Sequence, residues 1–163
     1  MIYTPEHCEM ILAGRKVQTR RLVKPGDQLL TRENGEVGVL ATPCYQVGDE
    51  VRYCQLRAYW RWLTQHIYPV QPGRGKKAVG HTRLLTIRRE LLQDISDEDL
   101  WAEGYSISVA HFEDEFGRHC DHISTACTPF RLAWDSIHKR KGDQWTANPA
   151  VWVHTFELVK GGA

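Results

Sequence analysis

Lys16 and Thr19 put an amine and a hydroxyl three positions apart, inside the run Gly14-Arg15-Lys16-Val17-Gln18-Thr19-Arg20-Arg21. Residues 15–24 carry five basic side chains (Arg15, Lys16, Arg20, Arg21, Lys24) and no acid. Such a cluster either faces water as a solvated turn or holds an anion. A second feature points the same way. From Val51 to Arg89 there are nine basic residues and no acid, and from Glu90 to Glu115 nine acids and no lysine or arginine. Tyr53, Tyr59, Trp60, Trp62 and Tyr68 interleave the basic segment. Cations for phosphates and flat rings for bases are what single-stranded or looped nucleic acid requires. The competing expectation is that these rings pack in the core, with the arginines as their solvated neighbours.

The elements that must position these residues are marked in the sequence. Thr4 caps a helix that begins at Pro5, with Glu6 at its positive end and Gly14 leaving it in a left-handed conformation. The basic turn is thereby fixed and aimed by the helix before it. Residues 17–24 read as a strand and residues 25–47 mostly as turn and loop, with Gly35 near a hairpin tip. Val47-Gly48-Asp49 turns into a strand from Glu50 to Leu56. Residues 57–68 suit either a short helix or a strand. Residues 69–80 form a mobile Pro/Gly/Lys loop with Arg74, Lys76 and Lys77 at its tip.

Residues 81–92 hold a further strand. Ser96-Asp97-Glu98-Asp99 starts a short helix ending near Gly104, which leaves Glu103 at its negative end, where a carboxylate is mildly disfavoured. Such a carboxylate is a candidate for chemistry. Residues 105–127 read as an irregular insert, Thr128-Pro129 as the start of a helix through Trp134, and Val151 to Val159 as a final strand. Trp134 and Trp152 fall at core spacings, and Asn148 orders a turn.

At 163 residues the chain reads as one domain, 1–163, with a net charge of +1. No apolar run is long enough to span a membrane, and the first residues lack a signal-peptide core. Five scattered cysteines read as reduced thiols, so a cytoplasmic setting is expected. The cluster His111…His119-Cys120-Asp121-His122…Cys127 fits no standard zinc-finger spacing. A polar surface loop is expected there, with no metal and no cofactor.

The run from Gly14 to Arg21 resembles the G-x-K-x-x-T-R signature of ASCH-domain proteins, relatives of the PUA RNA-binding domains. The resemblance continues through Val47-Gly48-Asp49, Leu92 to Ser96, Ala102-Glu103-Gly104, Phe130 to Ile137 and Asn148 to Val153. Its order is similar to that of the longer members found in phages and prophages. It implies an α+β fold: a PUA-like small bent β-barrel with flanking short helices and a cleft over the basic signature. Two positions depart from the pattern. Cys54-Gln55 stands where the family usually carries an Arg-Glu pair, so Gln55 would leave a cleft arginine less compensated. The loop 71–80 also differs.

The resemblance implies binding of RNA or a modified nucleoside by Lys16, Thr19, Arg20 and Glu103. Arg15, Arg21, Tyr53, Gln55 and Arg57 are further candidates. It also implies an alternative, since some small members are amidohydrolases acting on N4-acetylcytidine-like substrates. Their catalytic roles fall on Lys16, Thr19 and Glu103. Thr19 would attack an amide carbonyl and needs a base, which Lys16 supplies only if burial and neighbouring cations such as Arg15 and Arg20 make it neutral. Residues three apart face opposite sides of a straight strand, so the pair requires a turn. A second alternative is ribonuclease action, with Lys16 and Arg20 stabilising charge at phosphorus. Without catalysis, Lys16 and Thr19 bind a phosphate while Glu103 pairs with an arginine.

Overall fold

A computed structural model of the chain describes residues 1–47, 50–54, 57–105 and 122–159, the side chains of 45–47 and 122–127 excepted. Among the described residues three helices and nine strands, all pairing antiparallel, make the expected α+β fold. The helices are α1 (Pro5–Leu12), α2 (Asp97–Ala102) and α3 (His122–Ile137). The largest sheet has the order β1 (Gln18–Leu22), β9 (Ala150–Leu158), β8 (Gly80–Leu91), β7 (Ile67–Val70). A second sheet joins β2 (Asp27–Thr31), β3 (Val37–Ala41) and β6 (Tyr59–Leu63). A hairpin of β4 (Cys44–Val47) and β5 (Glu50–Tyr53) stands by itself.

The two larger sheets meet across a buried cluster of Val39, Leu84, Ile87 and Trp152, with Trp62 packed against it. On the other side of the main sheet, Leu92, Leu100, Phe130, Trp134, Val151 and Val153 join α2 and α3 to β9. Covered on both faces, β9 buries Val151, Trp152, Val153 and His154 in succession. β1 lies beside it and buries Gln18, Thr19 and Arg20 consecutively, so polar residues are drawn under the helices.

Local chemistry explains both helix ends that matter. The Thr4 hydroxyl accepts from the His7 amide at 3.3 Å, and Gly14 leaves α1 with φ +71°. The amides of Arg15 and Lys16 both turn back to the Met10 carbonyl, which curls the chain and carries Lys16 inward. The turn precedes Lys16, and no turn separates Lys16 from Thr19. At α2, the Ser96 hydroxyl accepts from the Asp99 amide, and Gly104 takes φ +93°. An added Cβ on Gly104 would lie 2.8 Å from Met10 Sδ and 3.4 Å from Lys16 Cβ. The two turns are therefore packed directly on each other.

Several expectations need correction. Residues 25–47 hold three strands, not mainly loop, and of the two alternatives open for residues 57–68 the strand is the one formed, as β6 and the start of β7. The third helix starts at His122, with Pro129 inside it. The loop after β7 is tied down: Val79 donates to Val70, and the Gln71 side chain to the Lys76 carbonyl. The basic segment is not left as an unpaired positive face, since Arg61 pairs with Asp27, Arg83 with Glu157, and Arg88 with Glu90 and Asp99. Gly48, Asp49, Gln55 and the insert's His111, His119, Cys120 and Asp121 lie outside the described residues, as do the side chains of His122 and Cys127. Among the described residues no helix is long and apolar enough to cross a membrane.

Candidate functional site

Lys16 reaches the site from the turn after α1 and Glu103 from the C-cap of α2. Lys16 Nζ donates to Glu103 Oε2 at 2.5 Å and to the Glu103 backbone carbonyl at 2.9 Å. The second bond satisfies a terminal helix carbonyl, a natural place for a cation. Lys16 is 1% exposed and Glu103 3%, so the pair is shut away from bulk water. Burial pulls the Lys16 pKa below the usual lysine value, with Arg21 and Arg20 assisting and the Glu103 carboxylate opposing. The Arg15 charge, expected to contribute, belongs to an exposed residue.

Arg20, on β1, is held by three carboxylates. Its Nη2 donates to Glu90 Oε1 and Asp99 Oδ2, each at 2.6 Å, and its Nη1 to Glu103 Oε1 at 3.1 Å. Gln18 closes the ring, accepting from Arg20 Nη1 and donating to Asp99 Oδ1. Arg88 carries the network to the surface through Asp99 and Glu90. Three cations (Lys16, Arg20, Arg88) thus meet three carboxylates (Glu90, Asp99, Glu103). The idea that Gln55 leaves the cleft arginine under-compensated does not hold for Arg20. The sequence put Glu90 and Asp99 in the acidic segment but gave no sign of their partner.

Lys16, Thr19, Arg20, Arg21 and Glu103 border one cavity of about 320 Å³. Its apolar wall comes from Tyr3, Tyr105, Phe130 and Trp134, with His7 and His138 beside them. Tyr105 and Trp145 each meet Phe130 edge-on, and His138 stacks on Trp134 with centroids 4.1 Å apart. Burial lowers the His7 pKa to about 4, with Lys16 adding to the effect, and burial also lowers that of His138. Both imidazoles are therefore neutral at pH 7. The Tyr3 and Tyr105 hydroxyls are pushed up to about 12 by burial. The Thr19 hydroxyl, 6% of whose residue surface is exposed, makes no hydrogen bond to Lys16 or Glu103.

The remaining candidates lie elsewhere. Tyr53 (64% exposed) ends β5, Arg57 is exposed after it, and Arg15 is exposed before Lys16. None of the three borders the cavity. The rings of residues 53–68 were expected to serve the ligand, but Trp62 packs into the core and Trp60 sits under Arg32. The cavity's rings come instead from four separated positions, each ordinary core by local pattern. Among the described residues no group of three or more His, Cys, Asp or Glu side chains is placed to hold a metal.

No family model matches the chain, and no curated protein matches it. Solved structures do. One is a protein from Enterococcus faecalis V583 assigned to family-model DUF984, 12% identical with a TM-score of 0.49. Another is an ASCH domain from Lactobacillus crispatus JV V101, 11% identical with a TM-score of 0.45. Each alignment covers 94% of this chain and 70% of the other.

Proposed function

We propose that the cavity binds a single nucleoside-like ligand, either free or as one unstacked base of an RNA. The observation that carries this is the buried Lys16–Glu103 pair set in the wall of an aromatic-lined cavity. Its volume of about 320 Å³ is at the small end of ligand sites, suited to one base and sugar and not to a strand. Rings give a base its stacking surface, and a fixed amine and carboxylate offer a donor and an acceptor to its polar edge. Lys16 and Arg20 are both committed to carboxylates, which weighs against the phosphate-gripping and ribonuclease readings.

Calorimetric titration with the common nucleosides and N4-acetylcytidine tests this. Saturable one-to-one binding that Glu103→Gln weakens supports it, and no binding by any nucleoside overturns it. A short single-stranded RNA should bind with a shallow salt dependence. One phosphate contact gives a slope of log K against log salt of about −0.7, where a basic cleft would give several times that.

A second reading is favoured by the lysine with its lowered pKa beside a carboxylate. In it the neutral Lys16 amine takes the Thr19 hydroxyl proton as the oxygen attacks an acyl carbonyl carbon. The carbonyl–N4 bond then breaks as Lys16 returns the proton to the cytosine amino group, which leaves, and water hydrolyses the acyl-threonine to free the acid. Release of cytidine and acetate from N4-acetylcytidine, abolished in Thr19→Ala, is the expected result. Binding without turnover leaves the first reading standing alone.

A further inference from the structure

Arg21 is unlike the other cations of the cavity. Lys16 and Arg20 each hold carboxylates, and both histidines are neutral at pH 7. Arg21 has no carboxylate partner among the described residues. Its Nη2 donates to the Ile2 carbonyl at 2.7 Å, and its guanidinium carbon lies 5.2 Å from the centroid of the Tyr3 ring. These contacts, with a side-chain hydrogen bond to the Tyr3 hydroxyl, hold the guanidinium against Tyr3, and its remaining N–H groups have no further bond among the described residues. No nitrogen of Arg21 is among the fully buried polar atoms that lack a partner, so the unused donors are reached by solvent. Both residues that hold it, Ile2 and Tyr3, border the same cavity. Its charge is felt by the groups around it, acting against protonation of Lys16, His7 and His138.

Resting on the nucleoside reading, we propose that Arg21 forms an anion subsite at the Tyr3 side of the cavity, and that the ligand is a nucleotide whose phosphate it receives. The division of labour follows from charge. Around Lys16, Arg20 and Glu103 the positive charges are matched by carboxylates, so that end suits an uncharged base edge. At Arg21 a cation with no carboxylate partner among the described residues borders the cavity, and a guanidinium held against Tyr3 presents its remaining N–H groups to phosphate oxygens. The phosphate is the monoester of a free nucleotide or the diester next to an unstacked base in RNA, both of which offer the same oxygens.

The test is calorimetric titration of wild type and Arg21→Gln with a nucleoside, its 5′-monophosphate, a dinucleotide and inorganic phosphate. The monophosphate should bind wild type about tenfold more tightly than the nucleoside, as one charge-assisted contact provides, and that ratio should fall to near unity in Arg21→Gln. A gain for the dinucleotide equal to that for the monophosphate assigns the subsite to a diester, and a gain for the monophosphate alone to a free nucleotide. If the nucleoside binds and neither phosphate form gains, the subsite is wrong while the nucleoside reading survives. If Arg21→Gln keeps the full ratio, the phosphate sits elsewhere and the assignment fails. If no nucleoside or nucleotide binds, the nucleoside reading fails. Inorganic phosphate then decides the subsite alone, by heat that Arg21→Gln abolishes or by none at all. Should Arg21→Gln not fold, Arg21→Lys replaces it, with a reduced ratio expected because an ammonium cannot present the paired donors.

Discussion

Lys16 Nζ is bonded to Glu103 twice, through the side-chain carboxylate at 2.5 Å and the backbone carbonyl at 2.9 Å. One bond depends on Glu103 being an acid and the other does not. Glu103→Gln therefore keeps the lysine in place while removing the negative charge facing it. With Arg20 also deprived of a partner, the buried cations are left under-compensated. Glu103→Gln and Lys16→Met should each lower stability by about 3–5 kcal/mol, measured by urea unfolding. The double variant should cost less than the sum of the two.

The side chains of Asp99 and Glu103 have no bond to each other, yet both accept from Arg20. A double-mutant cycle of Asp99→Asn and Glu103→Gln should show a coupling energy of about 0.5–3 kcal/mol, carried by the guanidinium they share. A coupling near zero would mean that Arg20 relaxes freely toward Glu90.

His154 is fully buried on β9, both of its ring nitrogens lack partners, and Trp62 packs edge-on at 4.4 Å. Burial lowers its pKa to about 3 from an ordinary 6.5. Between those values the unfolded chain binds a proton that the folded chain refuses, so stability falls as pH drops below 6.5. The slope from this one group is about 1.4 kcal/mol per pH unit. Half-buried His7 acts in the same direction down to about pH 4. Asp99, whose pKa is lowered within its hydrogen-bonded ion pairs, adds a loss at the acid end. Subtracting the His154→Phe profile from that of wild type isolates the His154 contribution. The difference should grow steadily from pH 6.5 to pH 4.

Gly104 combines φ +93° with a close approach to Met10. Gly104→Ala should cost about 1–3 kcal/mol through its backbone conformation and crowding. Adding Met10→Ala should not restore the wild-type stability, because only the crowding is relieved. Thermal unfolding of the two variants separates the two causes.

The parts legible in the sequence were those with local, chemically specific markers. The cap at Thr4, Pro5, the exit at Gly14, the cap at Ser96 and the left-handed Gly104 each occupy the role their type suggests. β2 escaped notice because most of its residues are exposed, leaving no buried-exposed alternation to read, whereas β5 lies within the strand read from Glu50. The early start of α3 was hidden by Pro129, which usually opens a helix and here lies eight residues into one. Lys16 stood out through the basic run and the signature it resembles, and Glu103 because one acid sat oddly at a helix end. Glu90 and Asp99 did not, because their pairing with Arg20 spans 70 and 79 residues and depends on where β8 and α2 lie. The aromatic segment misled for a related reason. Composition reports which rings exist, while only topology decides which of them face the cavity.

Val17 is stitched in two directions, its amide to the Ala102 carbonyl at the end of α2 and its carbonyl to the Phe156 amide on β9. The cavity rim and the interior sheet are thereby one mechanical unit, and neither can part without straining the other. A molecule that settles in the cavity should therefore slow deuterium uptake along β9 as well as at the rim, and its affinity should register as a rise in the melting temperature of the whole sheet.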